Sequence, residues 1–156
     1  VTMLRISDLL ALRRNEIFDN DGSINSNAYT VDQKTGKHNI LYLKPAFNDL
    51  VIYNRWLDQN YPESEWLFPS SQYPDQHVSI KQFYKVIRHV GDLLGIDYLG
   101  THTMRKTGAY RVYIQSNYDI ALVMELLNHS SQKMTLRYLG LDQISKEKKL
   151  DQILFD

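Results

Sequence analysis

The sequence predicts an α+β fold, mainly α-helical, with a small antiparallel β-sheet near the N-terminal side. Apolar residues recur at helical spacing through most of the chain, and two strand-like runs are confined to residues 23–43. A capping box at Ser79 opens the clearest helix.

Taken in order, Leu4, Leu9, Leu10 and Leu12 form an apolar stripe that reads as a helix already under way, with no cap before it. Asp19-Asn20-Asp21-Gly22 is a turn signal, and 23–31 and 39–43 read as strands joined through Lys34-Thr35-Gly36-Lys37. Pro45 suits the first position of a helix whose stripe is Phe47, Leu50, Val51 and Leu57, ending near Asn60. Residues 61–78 hold three of the 4 prolines and read as a loop interrupted by Trp66-Leu67-Phe68. After Ser79, the positions Ile80, Phe83, Tyr84, Ile87 and Leu94 keep helical spacing up to a stop at Gly95. Thr101 is the candidate cap of a helix carrying His102 and Arg105, which would then share a face. Asp119 caps a short helix with Ile120, Val123, Met124 and Leu127 inward, leaving His129 on the turn after it. Residues 133–139 form a further short helix bearing Tyr138, and Asp142 is a candidate cap for a terminal one.

With 156 residues and 43% hydrophobic content the chain is expected to form one domain with one core, spanning 1–156. No apolar run reaches the roughly 20 residues that span a bilayer, so no membrane partner is expected. The absence of cysteine excludes disulfides and thiolate metal sites and fits a reducing, cytoplasmic setting; no secretory leader is evident.

The last third carries His102-Thr103-Met104-Arg105, then Leu127-Asn128-His129-Ser130, then Tyr138. An arginine forks a phosphate through parallel N–H bonds, a histidine exchanges protons near neutral pH, and a tyrosine can be a covalent nucleophile. Together these groups point to phosphoryl transfer without a metal or other cofactor. Metal ligation by His102 and His129 is the competing use, but neither stands beside an acidic residue or in a His-Glu-x-x-His arrangement. His38, His77 and His89 read as ordinary surface or partly buried histidines.

These segments resemble the tyrosine recombinases, also called phage integrases. HTMRKTGAY at 102–110 is similar to the family's His-x-x-Arg box, and LLNHSSQKMTLRYLG at 126–140 to the box ending in the nucleophilic tyrosine. MLRISDLLALR at 3–13 resembles the helix with the first catalytic arginine, which makes that residue Arg5. DQKTGKHNILYL at 32–43 resembles the hairpin bearing a catalytic lysine, and Lys34 falls on it; Lys37 competes, though the family's spacing favours Lys34. Met3 and Asn128 stand where the family usually has glycine, and Asp8 where it usually has glutamate.

The resemblance implies the tyrosine recombinase catalytic fold and six catalytic residues: Arg5, Lys34, His102, Arg105, His129 and Tyr138. It implies a site-specific recombinase that cleaves and rejoins double-stranded DNA through a 3′-phosphotyrosyl intermediate. Alternatives are a type IB topoisomerase-like strand transferase and a non-catalytic DNA-binding domain of the same fold. Zero formal net charge, from 18 basic and 18 acidic residues, is unhelpful to a DNA-binding protein, yet the bases gather around the same boxes. A basic face on an otherwise acidic domain follows. The resemblance further implies a missing N-terminal DNA-binding part and a tail, 142–156, whose Ile144, Leu150, Ile153, Leu154 and Phe155 pack on their own domain or on a neighbour. Weak tail burial would give a homotetramer on DNA and mostly monomer in free solution.

Overall fold

The expected sheet is a single hairpin, β1 (Asn27–Val31) against β2 (His38–Tyr42), paired antiparallel with Ala28 opposite Leu41 and Tyr29 opposite Ile40. Period-two alternation turns Ala28 and Leu41 into the core and leaves Tyr29 and Ile40 exposed. The computed structural model describes residues 2–153, and the expectation of one core meets a chain that divides into two compact units, Val1–Thr103 and Met104–Asp156.

In the first unit, helices α1 (Ile6–Leu10) and α2 (Arg14–Ile17) precede the hairpin. The opening stripe is therefore not one helix. Arg5 is extended, as the N-cap of α1, and the helix stops at Ala11 because the following backbone bonds elsewhere. Leu67 N–H donates to the Leu12 carbonyl at 2.9 Å and Arg14 N–H to the Glu65 carbonyl at 2.8 Å. Leu4, Leu10 and Leu12 are buried all the same.

Pro45 sits in a 3-10 turn, Lys44–Ala46, that feeds helix α3 (Phe47–Asn60) directly, so it is not the first residue of α3 itself. Leu57 is fully buried and Phe47 and Leu50 pack on the core, whereas Val51 is exposed, a correction to its place in the expected stripe. Leu4, Leu12, Ile17, Phe18, Leu43 and Leu67 complete most of this core. The 61–78 loop is fastened by polar bonds: Tyr53 Oη donates to the Leu67 carbonyl at 2.7 Å and Trp66 Nε1 to the Asp75 carbonyl at 2.9 Å. Helix α4 (Ile80–Leu94) has the expected reciprocal cap between Ser79 and Gln82, and Gly95 ends it at φ +66°. Gly91 is needed within α4, since a Cβ there would lie 2.6 Å from the Ile96 carbonyl oxygen.

The second unit contains α5 (Thr103–Gln115), α6 (Ile120–Leu126), α7 (Gln132–Leu139) and α8 (Gln143–Leu150). Asp119 caps α6 by accepting from Leu122 N–H at 3.0 Å, as expected, and Val123 and Leu127 are buried where α6 packs on α7. Ser131 caps α7, and Gly140 closes it at φ +70°. Thr101 does not cap α5: the helix starts at Thr103, whose Oγ1 accepts from Gly100 N–H at 2.8 Å. In the tail Leu150 and Ile153 are half exposed; Leu154 and Phe155 lie outside the described residues, as does the side chain of Ile144. Among the described residues no helix is long and apolar enough to cross a membrane.

Candidate active site

In the first unit, Arg5 and the hairpin tip are joined by a buried carboxylate. Asp32, 3% exposed, follows β1 and accepts from the Arg5 guanidinium through Oδ2. Its other oxygen accepts from the N–H groups of Lys34 at 3.0 Å and Thr35 at 2.8 Å. Gly36, at φ +68°, completes the turn by donating to the Asp32 carbonyl at 2.8 Å. Asp8 is also buried, and its Oδ1 accepts from Gln33 N–H at 3.2 Å, so the carboxylate one methylene shorter than glutamate still reaches the hairpin. Its Oδ2 is buried and, among the described residues, has no hydrogen-bond partner. The Lys34 and Lys37 side chains are exposed at the tip.

His102 is exposed on the turn that ends this unit, ahead of α5, so the shared helical face expected for His102 and Arg105 is not formed within one helix.

The second unit gathers three of the expected residues. Arg105, in the first turn of α5, donates through Nη2 to the Leu127 carbonyl at 3.0 Å, the carbonyl that ends α6. Its guanidinium carbon lies 5.7 Å from the centre of the Tyr138 ring, and Lys106 Nζ lies 6.0 Å from it. His129 follows a left-handed Asn128 (φ +56°) and meets Tyr138 edge to face at 5.4 Å between ring centres. The Tyr138 hydroxyl is buried and, among the described residues, has no hydrogen-bond partner.

Thr135, fully buried one helical turn before Tyr138, orients the histidine: His129 Nδ1 lies 3.1 Å from its Oγ1, which also lies 3.3 Å from the Ser131 carbonyl oxygen. The one hydroxyl proton of Thr135 thus serves either the Ser131 carbonyl or the imidazole, and both contacts hold the ring in place. Asp32, Lys106 and Thr135 were not among the expected site residues. An aspartate two residues before a Lys-Thr-Gly turn, and a threonine one turn before the tyrosine, were the available signals. Among the described residues no group of three His, Asp or Glu side chains could hold a metal ion. His77 is half-buried with Nδ1 2.8 Å from the Val78 carbonyl, consistent with an ordinary role, and His89 is exposed.

A sequence profile of the Phage integrase family matches residues 1–143. The chain belongs to this family. It is 34% identical over 141 residues to the probable integrase/recombinase YoeC of Bacillus subtilis strain 168, covering 90% of this chain and 72% of that protein. In fold, the phage integrase chain is similar to the XerA recombinase, with a TM-score of 0.68 and 22% identity over 97% of this chain and 53% of that one. A lambda integrase dimer bound to a COC′ core site gives a TM-score of 0.67 and 16% identity, over 92% of this chain and 50% of that one. The chain thus spans about half the length of these solved structures. Both departures from the integrases' usual glycine keep a glycine-like backbone: Met3 has φ +53° and Asn128 φ +56°. Asparagine tolerates this conformation better than most residues, and Met3 offsets its strain by burying its side chain.

Proposed function

We propose that this chain is the catalytic part of a site-specific DNA recombinase that cleaves and rejoins strands through a 3′-phosphotyrosyl intermediate. The observation that carries the reading is the buried, unpartnered hydroxyl of Tyr138, beside His129 and under the Arg105 guanidinium. A buried polar group without a partner is costly, and such costs persist where a ligand supplies the missing contact.

In the proposed reaction Tyr138 Oη forms a bond to phosphorus as the bond to the 5′-oxygen breaks. Lys34 gives its ammonium proton to that oxygen, which leaves as a 5′-hydroxyl, while the phenolic proton passes to an imidazole or water. Rejoining runs the same steps in reverse, so the bond energy is kept and no nucleotide cofactor is consumed. Arg5 and Arg105 take the nonbridging oxygens, where charge grows in the transition state; guanidinium stays charged and its fork spans two oxygens. His102 and His129 hydrogen-bond the phosphate or relay protons. The arginines supply the charge that a metal would otherwise bring, so cleavage is expected to continue in excess chelator. Residues 1–156 are assigned to one catalytic domain, with 142–156 as a tail supporting a tetramer on double-stranded DNA.

The test is Tyr138→Phe in the complete protein. DNA fragments covalently trapped by the wild type are sequenced at the attachment point, and a nicked suicide duplex is built on the mapped site. The variant is expected to bind that duplex within about twofold of wild type and to form no adduct, since only the nucleophilic oxygen is lost. An undiminished adduct, or one mapped to another tyrosine, rejects the assignment.

A further inference from the structure

We propose that Asp32 is a positioning residue that couples the phosphate-binding Arg5 to the hairpin turn carrying Lys34. The inference rests on the roles given above to Arg5 and Lys34. A general acid must be held within hydrogen-bond reach of the atom it protonates, and small misplacements are expensive in rate. The tip Gln33-Lys34-Thr35-Gly36-Lys37 is exposed throughout and would be mobile by composition. Asp32 removes that freedom. One carboxylate oxygen accepts from the Lys34 and Thr35 amides, and the Asp32 amide donates to the Lys37 carbonyl at 2.9 Å. Asp8, taking the Gln33 amide, pins the same segment from a second side.

The other Asp32 oxygen is what makes this a coupling and not only a turn. With 4% of its side chain exposed, the Asp32 carboxylate needs a compensating charge, and the Arg5 guanidinium is that charge. Guanidinium has five N–H donors, so Asp32 can fix its orientation while others remain to meet a phosphate oxygen. The turn and the arginine therefore depend on each other across 27 residues of sequence. Loss of Arg5 leaves a buried negative charge uncompensated at the base of the turn; loss of Asp32 releases the turn and the guanidinium together.

Two substitutions separate these functions. Asp32→Asn keeps an oxygen for the Lys34 and Thr35 amides but removes the charge facing Arg5, whereas Asp32→Ala removes both. Amide exchange followed by NMR, without DNA, reads the coupling itself: the Lys34 and Thr35 amides are expected to stay protected in wild type and Asp32→Asn, and to exchange about tenfold faster or more in Asp32→Ala and Arg5→Ala. Unchanged protection in Asp32→Ala and Arg5→Ala overturns the proposal. On the mapped duplex, Asp32→Ala is expected to cleave about tenfold more slowly than Asp32→Asn, with the gap closing when the 5′-bridging oxygen is sulfur, a leaving group that needs no acid. A gap of the same size on both substrates also overturns it. Lys34→Ala is the control for the underlying reading: if sulfur fails to rescue that variant, Lys34 is not the general acid, and the exchange result still decides whether Asp32 couples Arg5 to the turn.

Discussion

Arg5 and Arg105 are assigned the same load, the nonbridging phosphate oxygens, yet they are anchored differently. Arg5 is paired with a buried carboxylate that also organises a β-turn. Arg105 is held by the neutral Leu127 carbonyl at the end of a helix and lies over an aromatic ring. An ion pair survives a change in the shape of the cation, because charge attracts at any orientation; a carbonyl reached by one N–H of a planar fork requires that fork. The described contacts thus give the first arginine a carboxylate and the second a carbonyl and a ring.

The largest expected effect breaks this symmetry directly. Arg105→Lys should lower the cleavage rate about 10²- to 10³-fold, the usual loss for one transition-state donor, while Arg5→Lys should lose about tenfold, because its ammonium can still pair with Asp32. Single-turnover cleavage of the mapped duplex by both variants checks the order, and equal losses would contradict the distinction. Smaller is the effect of Thr135→Val, which keeps the shape but leaves His129 Nδ1 facing a methyl group. We expect about 1–3 kcal/mol of lost stability and a slower cleavage, with Thr135→Ser restoring most of the rate. Thermal melts and rates for the pair test it; a slow Thr135→Ser would mean that packing, not the hydroxyl, matters. Smallest is Asn128, where Ala should cost about 1 kcal/mol through its left-handed backbone and Gly only a few tenths. Equal melting temperatures for the two variants would deny the strain.

What was legible in the sequence follows from how local each signal is. The cap at Ser79, the stop at Gly95 and the cap at Asp119 depend on residues within one helical turn, and all stand as read. The break after Leu10 depends on the backbone of residues 12–14 pairing with 65–67, which no local pattern records. The start of α5 lies at Thr103 because residues 100–103 first close a turn, Thr103 N–H donating to the Gly100 carbonyl at 3.0 Å and Thr103 Oγ1 accepting from Gly100 N–H at 2.8 Å. The six expected site residues came from the resemblance of the ordered motifs to those of the tyrosine recombinases. Asp32 and Thr135 did not, because an aspartate in a turn and a threonine in a helix look the same whether or not an arginine or a histidine folds against them.

The closing turn of α7 has a mechanical consequence. Gly140 N–H bonds to the Arg137 carbonyl at 3.1 Å and Leu141 N–H reaches back to the Leu136 carbonyl at 2.8 Å, so the two bonds straddle Tyr138. A change in backbone direction at residue 141 therefore meets the two bonds that flank the tyrosine before it meets those of the rest of the helix.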